Sequence, residues 1–268
     1  MEVITLNFKN DPDHYDQHFL IDDNIINVFL ESACLNKNDI VIEVGPGKGN
    51  ISSLIAKKVK KLYCIELDQR LKPYLLELKK NYNNIELIFD NFLNLELPKC
   101  NKVVTAIPYS IIEPFIYKMS NYNINIYMIM GRKYADKVIN NDISNLSLLT
   151  NCFYNCRKIM DVTPDKFYPK PRVMSSIIEL KYKSINEIDN NLLIFRFMYL
   201  YRNKKVKNAL VESIISAAKI KNKIYTQRMS KNIINELNLD DNIFNKNFES
   251  ISNEELKLLY NQVNKINL

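Results

Sequence analysis

The sequence predicts a doubly wound α/β domain followed by a smaller helical one, and three observations carry that prediction. Three of the four glycines, Gly45, Gly47 and Gly49, fall within five residues directly after the β-branched, apolar run 39–44, the pattern of a strand buried on both faces of a parallel sheet and then a tight turn. Strand-like and helix-like periodicities alternate from there onward, as successive βα units require. Beyond about Ser184 the alternation stops and only helical patterns remain, so the expected domains are 1–183 and 184–268.

Taken in order, residues 11–22 form a polar lead-in containing aromatics, and Asp22 or Asp23 can cap a helix whose apolar stripe is Ile25, Ile26, Phe29 and Leu30. The strand at 39–44 runs through the glycine turn into a helix marked by Ile51, Leu54 and Ile55. A second strand at 61–68 ends in acids, a helix spans 69–80, and a third strand at 85–89 leads to Asp90. The fourth strand, 102–106, runs into Ile107-Pro108-Tyr109-Ser110, and then come a strand at 124–130 and helices at 132–139 and 144–153. Three prolines between 163 and 172 predict a stiff loop without regular structure, which would serve as a wall. The run 173–180 pairs with 158–162 as a hairpin, and helices at 192–201, 206–218, 230–237 and 253–263 make up the rest.

Composition bounds the function. At 268 residues, 47% hydrophobic and 25% charged, the chain has room for a sizeable core. It has no apolar run of membrane-spanning length, and Met1-Glu2-Val3-Ile4-Thr5 lacks the basic and apolar segments of a secretory leader, so a cytoplasmic protein is expected. Five scattered cysteines point to free thiols in a reducing compartment, and with only His14 and His18 to join Cys152 and Cys156 no metal site is expected. The net charge of +7 is concentrated late: residues 181–268 hold 15 Lys and Arg against 9 Asp and Glu. That surplus suits a polyanion such as RNA, and it equally suits a solvated helical surface with the Lys, Asn and Ile bias of an AT-rich genome.

A glycine turn alone does not choose among nucleotide-like cofactors. Gly45-Pro46-Gly47-Lys48-Gly49 lacks the spacing of the dinucleotide fingerprint, and a proline-stiffened turn preceded by Glu43 suits a cofactor with an amino-acid tail in place of a pyrophosphate. Glu66, about twenty residues on, can accept from ribose hydroxyls, and Asp90 can accept from an adenine amine. Singly, each acid reads as a cap or a solvated strand end; in order at three successive strand ends they describe S-adenosylmethionine.

At this point the chain resembles the KsgA/Erm-type rRNA adenine N6-dimethyltransferases, especially the KsgA-like members of archaea and eukaryotes. The resemblance rests on Gln17-His18-Phe19-Leu20, the stretch 43–49, Ile65-Glu66-Leu67-Asp68, Asp90 with Phe92-Leu93, Ile107-Pro108-Tyr109 and the stretch 167–175. It implies that Gln17, His18 and Leu20 close over the cofactor while Gly45, Glu66 and Asp90 hold its methionine, ribose and adenine parts, with Glu43, Gly47, Leu67, Asn91 and Ala106 completing that set. It further implies that Tyr109 and Phe167 sandwich a flipped adenine beside Pro108, with the Ile107 carbonyl as one acceptor for the amine. Arg202, Lys204, Lys205 and Lys207 match the start of a basic helix and are expected to dock rRNA of a small-subunit precursor, in a metal-free monomer.

Two positions depart from the family pattern. Ala106 stands where the family has an asparagine, whose side chain is the second acceptor for the amine, and Phe89 stands before Asp90 where the family usually has glycine. Thr105 is adjacent, but neighbours on a strand point to opposite faces. Three readings remain open: an rRNA adenine methyltransferase of altered efficiency, a non-catalytic ribosome-assembly factor keeping the cofactor fold, and a methyltransferase with another acceptor.

Overall fold

The computed structural model describes residues 18–268. Their contacts divide into two compact units: the described residues up to Ala135 with Arg157–Leu180, and Asp136–Cys156 with Lys181–Leu268. One boundary between the units, at Leu180, lies close to the cut expected at 183/184, and residues 136–156 group with the C-terminal helices.

The elements of the sheet are β2 (Ile40–Val44), β3 (Lys61–Glu66), β4 (Ile85–Phe89), β5 (Lys102–Thr105), β6 (Asn125–Gly131), β7 (Tyr154–Val162) and β9 (Ser175–Tyr182), in the order β4-β3-β2-β5-β6-β9-β7. β4, β3, β2, β5 and β6 are parallel and β9 is antiparallel to β6. Strand order reverses between β2 and β5, the switch point where open α/β sheets leave a crevice beyond their carboxyl ends. The amino ends of that pair are tied by Asp39, which accepts from Lys102 Nζ at 2.9 Å, Asn101 Nδ2 at 2.6 Å and the Asn36 amide at 2.8 Å. Burial pushes its carboxyl pKa up, but these hydrogen bonds outweigh burial and hold it below the ordinary value.

Helix α1 (Asp23–Ser32) begins at Asp22, whose carboxylate accepts from the amides of Asn24 and Ile25, and it buries Ile26, Phe29 and Leu30 as the stripe requires. α2 (Asn50–Lys58) follows the glycine turn and buries Ile51 and Ile55; α3 (Lys72–Asn81), α4 (Ile112–Met119) and α5 (Arg132–Ile139) complete the helices that follow strands. One difference from expectation concerns the proline-rich loop. Between Pro164 and Pro169, Phe167 and Tyr168 keep their amide donors, and as β8 (Phe167–Tyr168) they pair antiparallel with β1 (Phe19–Leu20). Proline stiffens this loop without preventing a two-residue ladder.

The second unit comprises α6 (Asn145–Phe153), α7 (Asn190–Leu200), α8 (Val206–Ile220), α9 (Gln227–Asn235), α10 (Asp241–Asn245) and α11 (Asn253–Val263). α6 is buried from Leu146 to Phe153. Its first turn is held by α7 and α11: Tyr199 Oη donates to the Asn145 side chain at 3.0 Å, and the Asn145 amide donates to Asn253 Oδ1 at 3.0 Å. Arg196 is buried but satisfied, donating to the Lys183 carbonyl at 3.0 Å and to Tyr182 Oη, with its guanidinium 4.7 Å from the Phe153 ring centroid. Helix α9 starts earlier than its periodicity predicts because Thr226, not a residue near 230, caps it by accepting from the Met229 amide.

Candidate functional site

At the carboxyl ends of β2, β3, β4 and β5 the first unit holds a cavity of about 440 Å³. Most of the expected residues meet there: His18, Gly45, Gly47, Glu66, Leu67, Asp90, Asn91, Ala106, Ile107, Pro108, Tyr109 and Phe167 all line it. They come from six separate stretches of sequence, which the fold brings to one end of the parallel sheet.

The glycine turn is built as its composition demands. Gly47 has φ +61°, and a Cβ there would come within 2.5 Å of the Phe19 ring; only glycine supplies that backbone angle and that space without strain. Its amide donates to Glu66 Oε2 at 3.1 Å, while Glu66 Oε1 accepts from the Asp68 amide at 2.9 Å. Burial raises the Glu66 pKa, and these two amides oppose it. Each carboxylate oxygen keeps a further lone pair for a hydroxyl. Glu66 is thus presented toward a ligand from a fixed position.

Past β4, Asp90 is exposed and accepts from the Asn91 amide at 2.6 Å, and Asn91 Oδ1 accepts from the Leu93 amide at 2.9 Å, closing a 3₁₀ turn over Phe92–Asn94. On the other wall, Tyr109 Oη shares a 2.5 Å hydrogen bond with Ser175 Oγ, and Phe167 is buried at 5% exposure. Two aromatic rings and a shelf of Ile107 and Pro108 therefore face the same space as the acids.

Two expected cofactor residues are placed differently. Glu43 and Leu20 do not line the main cavity; they border an adjoining recess of about 30 Å³. Leu20 packs in the hydrophobic core, where its strand position opposite Phe167 puts it. Glu43 lies beneath the turn, taking the weak thiol hydrogen bond of Cys64 at 3.8 Å, and desolvation pushes its pKa up to about 7. Gln17 lies outside the described residues.

Ala106 borders both the cavity and the recess. Its neighbour Thr105 is buried, with Oγ1 donating to the Val44 carbonyl at 2.8 Å, so the hydroxyl is committed between β5 and β2. The second amine acceptor expected at 106 is therefore not supplied from 105.

Several lining residues were not singled out as site residues: Phe19, Asp68, Phe92, Leu93, Ser110, Ile111 and Ile129. Phe19, Asp68, Phe92 and Leu93 sit inside recognised motifs, which was the available signal. Ile129 reaches the cavity from mid-β6 and carries no local mark, because its apolar run reads only as a buried strand.

In the second unit, Lys204 Nζ donates to both carboxylate oxygens of Glu212 at 2.6 Å and Arg202 Nε is 3.7 Å from Glu249. Lys205 and Lys207 are exposed, with Lys207 Nζ 5.9 Å from the Phe244 ring centroid. Among the described residues no three or more His, Cys, Asp or Glu side chains gather into a metal-binding group, and no helix is long and apolar enough to cross a membrane.

The chain is similar to known proteins along most of its length. Over 229 residues the chain is 33% identical to "Probable ribosomal RNA small subunit methyltransferase A" of Methanosphaera stadtmanae, covering 82% of this chain and 84% of that protein. The protein of the same name from Methanococcus aeolicus is 31% identical over 262 residues, 93% of this chain and 95% of its own. Among solved structures, a dimethyladenosine transferase from Plasmodium falciparum superposes with a TM-score of 0.61 at 19% identity, covering 92% of this chain and 98% of that one. The 23S rRNA methyltransferase ErmE does so with a TM-score of 0.60 at 22% identity, covering 92% of this chain and 100% of its own. The fold is that of Rossmann-like methyltransferases. Residues 8–258 match the family described as ribosomal RNA adenine dimethylase, and the chain belongs to that family.

Proposed function

We propose that this protein transfers methyl groups from S-adenosylmethionine to the N6 amine of adenine in small-subunit ribosomal RNA. The observation that carries the reading is the convergence of both halves of such a site, the glycine turn with Glu66 and Asp90 on one side and Tyr109 with Phe167 on the other, around one cavity. The cofactor half fits: the glycines add no side chains of their own at the turn, Gly45 and Gly47 line the cavity, Glu66 offers lone pairs to a ribose, and Asp90 is exposed to accept from an adenine amine. When bound, S-adenosylmethionine supplies a methyl group already activated on a sulfonium.

What this chain's residues add is position. An adenine amine inside a duplex is out of reach, so the base must leave its stack and be received by aromatic faces. Tyr109, tethered to Ser175, and Phe167, held in β8, provide them. Holding the two reactants in line removes much of the barrier by orientation alone. The Ile107 carbonyl is left as the acceptor that draws on the amine's hydrogens and returns electron density to nitrogen. Losing one preorganised polar partner at such a site costs about 10²–10³ in rate, so Ala106 lowers transfer without removing its basis. The reaction needs no metal, and the reading takes the chain as a cytoplasmic monomer acting on a ribosomal precursor.

Ala106 also favours a second reading, an RNA-binding assembly factor that keeps the cofactor fold. Labelled-methyl transfer to immature small ribosomal subunits separates the two. Incorporation into adenine N6 supports the enzyme; bound cofactor with no incorporation transfers the weight to the assembly factor. Incorporation into other RNA alone points to a different acceptor.

A further inference from the structure

Asp22 and Lys166 lie 144 positions apart, yet Lys166 Nζ donates to Asp22 Oδ2 at 2.7 Å. The pair closes a clasp between the segment entering α1 and the proline-rich loop. Within it Phe19 is opposite Tyr168 and Leu20 opposite Phe167. At one end the Ile21 amide donates to the Lys166 carbonyl at 2.9 Å. At the other, His18 Nδ1 lies 2.7 Å from the Pro169 carbonyl, which can only accept, so Nδ1 carries the proton. Asp22 spends its second oxygen, Oδ1, on the Asn24 and Ile25 amides. One carboxylate thus fixes the start of α1 and the loop together.

The clasp has a ligand-facing residue on each strand. Phe19 lies against Gly47 and lines the cavity at the cofactor turn, while Phe167 lines it at the acceptor wall. A two-residue ladder is marginal on its own, and the Asp22–Lys166 pair adds a side-chain tie to the packing of Leu20 and Phe167 and to the flanking hydrogen bonds that hold the strands in register. Consistent with this, the Lys166 hydrogen bond holds the Asp22 carboxyl below the ordinary range, and the Asp22 hydrogen bond holds the Lys166 ammonium above its own. A ligand that orders Phe19 over the turn orders β1, and through the clasp it orders β8 and Phe167.

We propose that Asp22 and Lys166 are positioning residues that couple occupancy of the cofactor side to affinity for the acceptor base. This rests on the reading of the cavity as a cofactor and acceptor site. Such coupling requires differential stabilisation of one clasp geometry by both ligands, and it is reciprocal.

The test measures binding of immature small ribosomal subunits to the full chain with and without S-adenosylhomocysteine, which keeps the cofactor's contacts but has no methyl to transfer. Wild-type protein should bind the RNA at least ~5-fold tighter with S-adenosylhomocysteine present. Lys166→Met should bring that ratio below about twofold, and Asp22→Asn, which keeps a good helix cap, should do the same. The double variant should show no further loss, and Lys166→Arg should keep most of the coupling. A purely structural role would weaken each binding step and leave the ratio intact. Wild-type coupling retained in both Lys166→Met and Asp22→Asn, or no coupling in the wild type, overturns the proposal. Failure of the wild type to bind S-adenosylhomocysteine alone overturns the cofactor reading itself, and that measurement is made first.

Discussion

Ala106 is the residue at which the sequence is expected to depart from its family's pattern. It borders the cavity where the acceptor amine is expected, and Thr105 is committed to the Val44 carbonyl. Ala106→Asn should therefore raise methyl transfer by about 10²-fold if the missing acceptor is what limits it, read as initial rate on immature subunits; an unchanged rate places the limit elsewhere. Glu43 shows the opposite relation between motif and geometry. Its place before the glycines suggested a ligand contact, but burial beneath the turn makes it a cost. Its pKa stands at about 7, above the ordinary 4.5, so the folded chain holds the proton more tightly than the unfolded one. Stability is then lost as pH rises from 4.5 through about 7 and stays lost above it, by about 3 kcal/mol. Glu43→Gln should remove that loss, raising the melting temperature at pH 8 and changing it little at pH 5. Thermal melts at the two values check this.

At the scale of elements, the loop after β4 decides how Asp90 and Asn91 are presented. It is fixed from α4, where Lys118 Nζ donates to the Leu93 carbonyl at 3.1 Å and to the Leu95 carbonyl and lies 5.4 Å from the Phe92 ring centroid. Desolvation lowers the Lys118 pKa, yet two carbonyl acceptors and a ring face keep the ammonium supported. Lys118→Met removes charge-assisted hydrogen bonds, each worth about 1.5–3 kcal/mol where buried. We expect about tenfold weaker S-adenosylhomocysteine binding with RNA affinity little changed, measured by titration calorimetry. Equal loss in both would point to general loosening. Nothing in the sequence announces this tie, because Lys118 reads as an ordinary last-turn cation. The strands and helices themselves were legible, since Ile40–Val44 obeys the apolar pattern of a buried strand and Ile85–Phe89 is an apolar run, half-buried at the sheet edge and interrupted only by Glu86. β1 and β8 were not, being two residues long and dependent on each other.

At the scale of the whole molecule, the late surplus of positive charge is spent unevenly. Arg202 and Lys204 face Glu249 and Glu212, whereas Lys205 and Lys207 are exposed. If this stretch docks RNA, the exposed pair should carry more of the contact. Lys205→Glu with Lys207→Glu should weaken RNA binding and make the slope of log affinity against log salt shallower by about 1.5, with S-adenosylhomocysteine affinity unchanged. A slope that does not move leaves these lysines as solvated surface.

By itself the sequence determined the α/β class, the glycine turn, the acids at successive strand ends and the alanine at 106. Each of these is local: a cluster of glycines, a period of apolar residues, a carboxylate at a strand end. Only the tertiary structure decided that Glu43 lies beneath the turn while Glu66 faces the cavity, that 136–156 packs with the C-terminal helices, and that Asp22 meets Lys166. The reason is physical. Burial, desolvation and pairing across 144 residues depend on which elements fold against one another, and no short stretch of chain contains that information.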